Sequence, residues 1–340
     1  MAQITLACVG AGNWGRNLVR VFDSLPEVRL KTICDASEKI RGAMAAQYPQ
    51  AQIESDFGDV LADQEITAVV LAVPAVHHFE TARQALEAGK HVYVEKPIAL
   101  SYDHARQLTE LAEGKGLVLM VGHLLEYHPA LGLLKKLVDS GELGDILYLY
   151  SERVNLGVVR KDENALWSLA PHDISMILHL VGAEPESVSA RGACYLQDGI
   201  EDVVFANLRF ADGKMAQVQV SWLDPHKVRK LTVVGTKKMA VFDDMESAEK
   251  VRIYDKAAER EGGAGTNYES YGESITLRFG DVVIPHIRPA EPLKLECQHF
   301  VDCVRDGATP VSDGRDGMRV VRVLAAAARS LAADGVPSAL

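Results

Sequence analysis

The chain has few cysteines, and none stands in a metal or redox spacing. Cys8, Cys34, Cys194, Cys297 and Cys303 form an odd set without a CxxC pair. That argues against a disulfide framework and predicts buried, reduced thiols in a cytoplasmic protein. Nowhere do ~18 apolar residues run uninterrupted, as a membrane span requires. The apolar opening MAQITLACVGAG lacks a basic flank and runs into a glycine turn, so no leader is expected there. Positive charge is also short, with 36 Lys and Arg against 47 Asp and Glu. The resulting net charge of −11 opposes non-specific nucleic-acid binding but leaves room for a local basic pocket holding a small anion. Glycine (27) and proline (13) are too sparse in 340 residues for a low-complexity or fibrous chain. No internal repeat is present.

What is there is a soluble globular pattern long enough for two domains. Short Val/Ile/Leu-rich runs (ITLACVG, LKTICD, ITAVVLAVP, HVYVEKP, LVLMVGH) alternate with helical stretches over 13–25, 37–48, 77–88 and 101–113. Apolar runs without alternation read as strands covered on both faces, so repeated βα units predict a doubly wound parallel sheet. After Gly122 the texture changes. A helix over 128–140 precedes longer, alternating strands, and Asp212-Gly213 reads as a hairpin turn. The expected class is α/β: a parallel domain over 1–122, and an α+β domain with a mostly antiparallel open sheet over 123–340. The glycine-rich stretch 257–274 reads as a long surface loop, and 292–305 and 314–332 as helices.

Gly10-Ala11-Gly12-Asn13-Trp14-Gly15 fits G-x-G-x-x-G between the first strand and the first helix. Glycine permits the tight turn and lets backbone approach a pyrophosphate, and the helix N-terminus offers free N–H groups. Asp35 ends the second strand, where a carboxylate accepts from adenosine ribose hydroxyls. With Glu38 nearby it would repel a 2′-phosphate, which favours NAD over NADP; Lys39 is the one residue arguing otherwise. Lys96, within Glu95-Lys96-Pro97, ends a parallel strand on the same rim and can donate to a substrate oxygen while hydride moves.

VGAGNWG, AVPAVHHFETARQALEAGKHVYVEKPIAL and VGHLLEYHPAL together resemble the glucose-fructose oxidoreductase, inositol dehydrogenase and MocA family of NAD(P)-dependent sugar oxidoreductases. The resemblance implies a Rossmann cofactor domain and a second domain carrying substrate contacts and an oligomer interface. It also implies Lys96 as the catalytic-site lysine, with Pro74, His78, Glu95 and Pro97 near the cofactor. In SLAPHD, His172 matches the family's helix-opening histidine, while Ser168 stands where many members have aspartate. The catalytic pair therefore reduces to Lys96 and His172. A histidine, with an unperturbed pKa of about 6.5, is a suitable base for alcohol oxidation near neutral pH.

The segment SERVNLGVVRKDENALWSLAPHDI is similar to the subgroup acting on nucleotide-linked N-acetylhexosamines. It implies oxidation of the C3 hydroxyl of UDP-N-acetylglucosamine. An acidic protein holding a diphosphate must gather positive charge locally; Arg153 and Arg160 flank the Asn155-Leu156-Gly157 turn and offer planar donors. Asn164 can donate to a hydroxyl or N-acetyl carbonyl, and Trp167 can form an apolar wall. The alternatives are a UDP-N-acetylhexosaminuronic acid, an inositol-like polyol, or a non-catalytic NAD-binding regulator. The resemblance further implies a partner aminotransferase in lipid A or other surface-glycan precursor synthesis, and a homodimer or homotetramer. His77, His78, His123 and His128 have no obvious Cys or carboxylate cluster, so no metal is expected.

Overall fold

The computed structural model describes residues 3–260 and 275–340. The chain begins as β1 (Ile4–Val9), α1 (Gly15–Asp23), β2 (Val28–Cys34), α2 (Glu38–Gln47), β3 (Gln52–Glu54), α3 (Phe57–Ala62), β4 (Ala68–Leu71), α4 (His78–Glu87), β5 (His91–Glu95), α5 (Tyr102–Lys115) and β6 (Leu119–Gly122). It continues as α6 (Pro129–Asp139), β7 (Ile146–Val154), α7 (Ala165–Val181), β8 (Ser187–Ala193), β9 (Val203–Arg209), β10 (Met215–Ser221), β11 (Val228–Gly235), β12 (Met239–Asp243), β13 (Val251–Arg260) and β14 (Ile275–Val283). It closes with α8 (Pro292–Asp306), α9 (Gly314–Ala332) and β15 (Ser338–Ala339).

Two compact units result. One comprises Met1–His128 with Ala290–Ala325, the other Pro129–Pro289 with Ala326–Leu340. A single boundary near Gly122, with everything after it in the second domain, is thus replaced by a chain that returns to the first unit. Aromatic packing explains the return of α8. Phe300 meets Phe22 and Tyr93 edge to face, with ring centroids 6.1 and 5.9 Å apart, so α8 completes a core begun by α1 and β5.

The first unit is a parallel six-stranded sheet in the order β3-β2-β1-β4-β5-β6. Its central strand β4 (Ala68, Val69, Val70, Leu71) is buried throughout, as expected where helices cover both faces. The glycine turn follows the carboxyl end of β1, beside that of β4, where the sheet order reverses. β3 and α3 carry no long apolar run; they were not expected from the sequence.

The second unit is a nine-stranded sheet, β14-β13-β12-β11-β7-β10-β9-β8-β15, antiparallel except for β7 with β10. Gly213 (φ +86°) makes the expected hairpin turn. Alternation along β7 places Leu149, Ser151 and Arg153 on the buried face, and Tyr148 and Tyr150 on the exposed one. Residues 257–260 continue β13 instead of opening a loop, and the remainder of the stretch over 261–274 lies outside the described residues. Among the described residues, no helix is long and apolar enough to cross a membrane. Cys8, Cys34, Cys297 and Cys303 are buried, as expected, and Cys194 is exposed.

Candidate active site

The glycine turn is shaped by two close approaches. Gly10 has φ +84°, and a Cβ there would lie 2.7 Å from the Ala72 carbonyl oxygen. A Cβ on Gly15 would lie 1.9 Å from the Gly10 carbonyl oxygen, so the helix can enter this closely only without a side chain. Gly12 differs: a Cβ would meet nothing within 4 Å. The fold does not require glycine at that position, but a ligand lying against the backbone would. α1 opens at Trp14 without a side-chain cap and without an acidic residue in its first turn, which leaves its N–H groups and partial positive charge for an anion.

Asp35 flanks the glycine turn on a second side. Its Oδ2 accepts from the Ala11 N–H at 2.7 Å and its Oδ1 from the Ser37 N–H at 2.8 Å, tying the tip of β2 to the glycine turn. Each oxygen keeps a further acceptor site for a ribose hydroxyl. Two residues here escaped the sequence reading. Arg41 donates to the carbonyls of Asp35 and Ala36, and Arg16 donates to Asn13 Oδ1 at 2.7 Å.

The third side is the end of β5. Glu95 Oε1 accepts from the Trp14 indole N–H at 2.5 Å and the Tyr93 hydroxyl at 3.5 Å, while its Oε2 accepts from the Lys96 N–H at 3.3 Å. Burial pushes the Glu95 carboxyl above its ordinary value, against the pull of Trp14 and Lys96. Gly122 on neighbouring β6 makes room for it, since a Cβ there would lie 3.0 Å from Glu95 Oε1. Lys96 is half-buried and precedes cis Pro97, and Pro74 lies exposed at the end of the β4 loop.

His78 has a different task from the expected cofactor contact. It is 1 % exposed, with Nδ1 at 2.7 Å from the Pro97 carbonyl oxygen and Nε2 at 2.8 Å from that of Val73. Burial lowers its pKa. The ring lies between the β4 loop and the Lys96-Pro97 loop, one nitrogen facing a carbonyl of each.

In the second unit, His172 is half-buried on α7, one residue after Pro171. Asn164 caps that helix: its Oδ1 accepts from the Trp167 N–H at 3.1 Å and its Nδ2 donates to Glu201 at 2.7 Å. Arg153 is 5 % exposed and donates to Asp173, Nε to Oδ2 at 2.6 Å and Nη2 to Oδ1 at 3.4 Å. Neither side chain is the open donor expected from the sequence. Arg153 lies on the helix-covered face of the sheet, and Asn164 starts a helix. Arg160 is exposed and paired with Glu163 at 3.0 Å, in the connection that also exposes Leu156 and Gly157, with Asn155 and Trp167 half-buried.

A carboxylate cluster does surround one histidine, contrary to the sequence expectation. His123 Nδ1 lies 2.7 Å from Asp316 Oδ2 and 3.5 Å from Glu126 Oε1, all three buried. Burial alone would lower the His123 pKa, but the two acids raise it to about 10. Burial and Asp316 raise Glu126 to about 8. One ligand atom from each of the three residues lies within 4.8 Å of the others, so a group that could hold a metal ion is present where the sequence reading expected none.

Comparison with known proteins agrees with this geometry. The model for the oxidoreductase family GFO/IDH/MocA, NAD-binding Rossmann fold, matches residues 4–123, and the GFO/IDH/MocA C-terminal domain model matches 132–241. The chain belongs to the GFO/IDH/MocA oxidoreductase family. Its first unit is that family's NAD-binding domain, and the open Gly12, the uncapped α1 and Asp35 fit the cofactor's pyrophosphate and ribose.

Among relatives, UDP-N-acetylglucosamine 3-dehydrogenase of Acidithiobacillus ferrooxidans is 27 % identical over 325 residues, 94 % of this chain and 95 % of that one. The scyllo-inositol 2-dehydrogenase (NAD(+)) of Bacillus subtilis is 26 % identical over 351 residues, covering 98 % and 96 %. Among solved structures, GenD2 from gentamicin A biosynthesis in complex with NAD superposes with a TM-score of 0.83 at 26 % identity, covering 100 % of this chain and 97 % of that one.

Proposed function

We propose that the protein oxidises the C3 hydroxyl of UDP-N-acetylglucosamine to the UDP-3-keto sugar. His172 takes the hydroxyl proton and Lys96 donates to the same oxygen, holding it while the carbon is oxidised. Bound NAD supplies the hydride acceptor. Trp14 and the Lys96 backbone N–H hold Glu95 at the strand end, and His78 braces the loop beyond it, so the lysine stands on a rigid support.

The observation that carries the substrate class is the exposed connection between β7 and α7. It carries NLGVVR, the second half of the segment that resembles nucleotide-sugar enzymes, and exposes Arg160 beside Glu163. The near full-length relation to a UDP-N-acetylglucosamine 3-dehydrogenase supports it. Oxidation of an inositol-like polyol is the second reading, favoured by the equally extensive relation to scyllo-inositol 2-dehydrogenase.

Competition by UDP separates the two. Under the nucleotide-sugar reading, UDP binds the NAD-loaded protein and Arg160→Ala weakens it about 10-fold. Turnover of scyllo-inositol with no UDP binding would overturn it. The uncovered sheet face, bearing Tyr148, Tyr150, Phe205 and Met215, supports a homodimer or homotetramer. A 3-keto product suits a partner aminotransferase of surface-glycan synthesis in the cytoplasm.

A further inference from the structure

α7 is weakened next to its functional residue. Pro171 lies inside the helix, supplies no N–H to the Trp167 carbonyl and crowds it. His172 follows directly, so its direction depends on something other than an unbroken ladder of helical hydrogen bonds. Two contacts flank it. The Ser175 hydroxyl, buried, donates to the His172 carbonyl at 3.1 Å. Asp173, 1 % exposed, receives two guanidinium N–H groups of Arg153 from the sheet beneath.

The register adds a second cation. Arg229 on β11 stands directly opposite Arg153 on β7, on the same face of the sheet, with its side chain 41 % exposed. Arg229 Nη1 reaches Asp244 Oδ2 at 3.4 Å, which balances part of its charge. Two cross-strand arginines repel, and the Asp173 carboxylate relieves that only if α7 presents it at one angle. Residue 173 is one helical step from residue 172, about 100° around the axis, so fixing one side chain fixes the direction of the next. A planar fork on a carboxylate is directional, which a leucine or methionine contact is not.

We propose that Arg153 and Asp173 are positioning residues, a buried clamp between sheet and helix that aims His172 at the reacting oxygen. The proposal rests on His172 as the base. It also explains why an arginine in a nucleotide-sugar motif faces inward: it serves the base and leaves the diphosphate to others.

The test compares Asp173→Asn, the apolar pair Arg153→Met with Asp173→Leu, and His172→Gln. Each is measured for melting temperature, NAD affinity, and kcat and KM with UDP-N-acetylglucosamine, and the apolar pair is also crystallised. Replacing a buried ion pair by apolar residues of similar size commonly preserves stability, so the pair removes direction without emptying the core. The expected result is a kcat about 10- to 100-fold lower in Asp173→Asn and in the apolar pair, because a misplacement of an ångström is costly. KM and NAD affinity stay within about 3-fold. The apolar pair melts near the parent and shows a displaced His172 ring.

A folded apolar pair with parental kcat and an undisplaced His172 would reduce the clamp to a stabilising contact and overturn the proposal. Full kcat in Asp173→Asn beside an inactive His172→Gln would overturn it alone. Full turnover in His172→Gln would overturn the base assignment and this proposal together.

Discussion

The indole N–H of Trp14 donates to Glu95 Oε1 at 2.5 Å, joining positions 81 residues apart. The glycine turn and the strand end carrying Lys96 are thereby one mechanical piece. The same carboxylate accepts from the Lys96 N–H, so movement of the turn reaches the lysine through a single side chain. Trp14→Phe keeps the ring and removes the donor. NAD affinity should change less than about 3-fold and kcat should fall about 10-fold, measured by fluorescence titration and steady-state rates. Equal losses in both would show that Trp14 acts only through cofactor binding.

Lys96→Met should leave NAD binding intact and lower kcat by about 10²- to 10⁴-fold, the range for a positioned proton or hydrogen-bond donor. A variant that turns over normally would remove Lys96 from the chemistry.

The glycines divide by the space around them. Gly15→Ala places a Cβ 1.9 Å from the Gly10 carbonyl oxygen, so it should lower stability and cofactor affinity together. Gly12→Ala meets nothing within 4 Å and should melt like the parent while losing NAD affinity at least about 10-fold. Unchanged NAD affinity in Gly12→Ala would mean that no ligand lies against that backbone.

His123 links stability to pH. Its folded pKa, about 10, exceeds the unfolded value near 6.5, so the fold binds the proton more tightly than the unfolded chain does. The stabilisation is complete below pH 6.5 and disappears as pH rises through about 10. His123→Asn strips the cation from buried Asp316 and should cost about 3–5 kcal/mol at pH 6. The melting-temperature gap between parent and variant should close toward pH 10. A gap constant across that range would contradict the assignment.

Much of this was legible because the signals are local. Unalternating strands, a glycine turn before a helix, and Lys96 at a strand end all follow from neighbours in sequence. The missed parts are of two kinds. β3 is three residues without an apolar run, and the return of α8 depends on Phe300 finding Phe22 and Tyr93, which no local pattern records. Likewise His123 finds Asp316 193 residues away. Other misses were readable: Asn164 directly precedes the apolar run of α7, the position of a helix cap. Strand alternation through Leu149 and Ser151 turns Arg153 inward, and the acid beside His172 was its available partner.

The central claim is oxidation of a nucleotide sugar at these residues. The most direct measurement incubates the protein with NAD and UDP-N-acetylglucosamine, traps carbonyls with a hydroxylamine, and reads the nucleotide sugar by mass spectrometry. Trapping does not depend on release of reduced cofactor. The account predicts an oxime of a UDP-sugar lacking two hydrogens, absent with Lys96→Met and with His172→Gln. No adduct from a protein shown to bind NAD, alongside oxidation of scyllo-inositol, would contradict it.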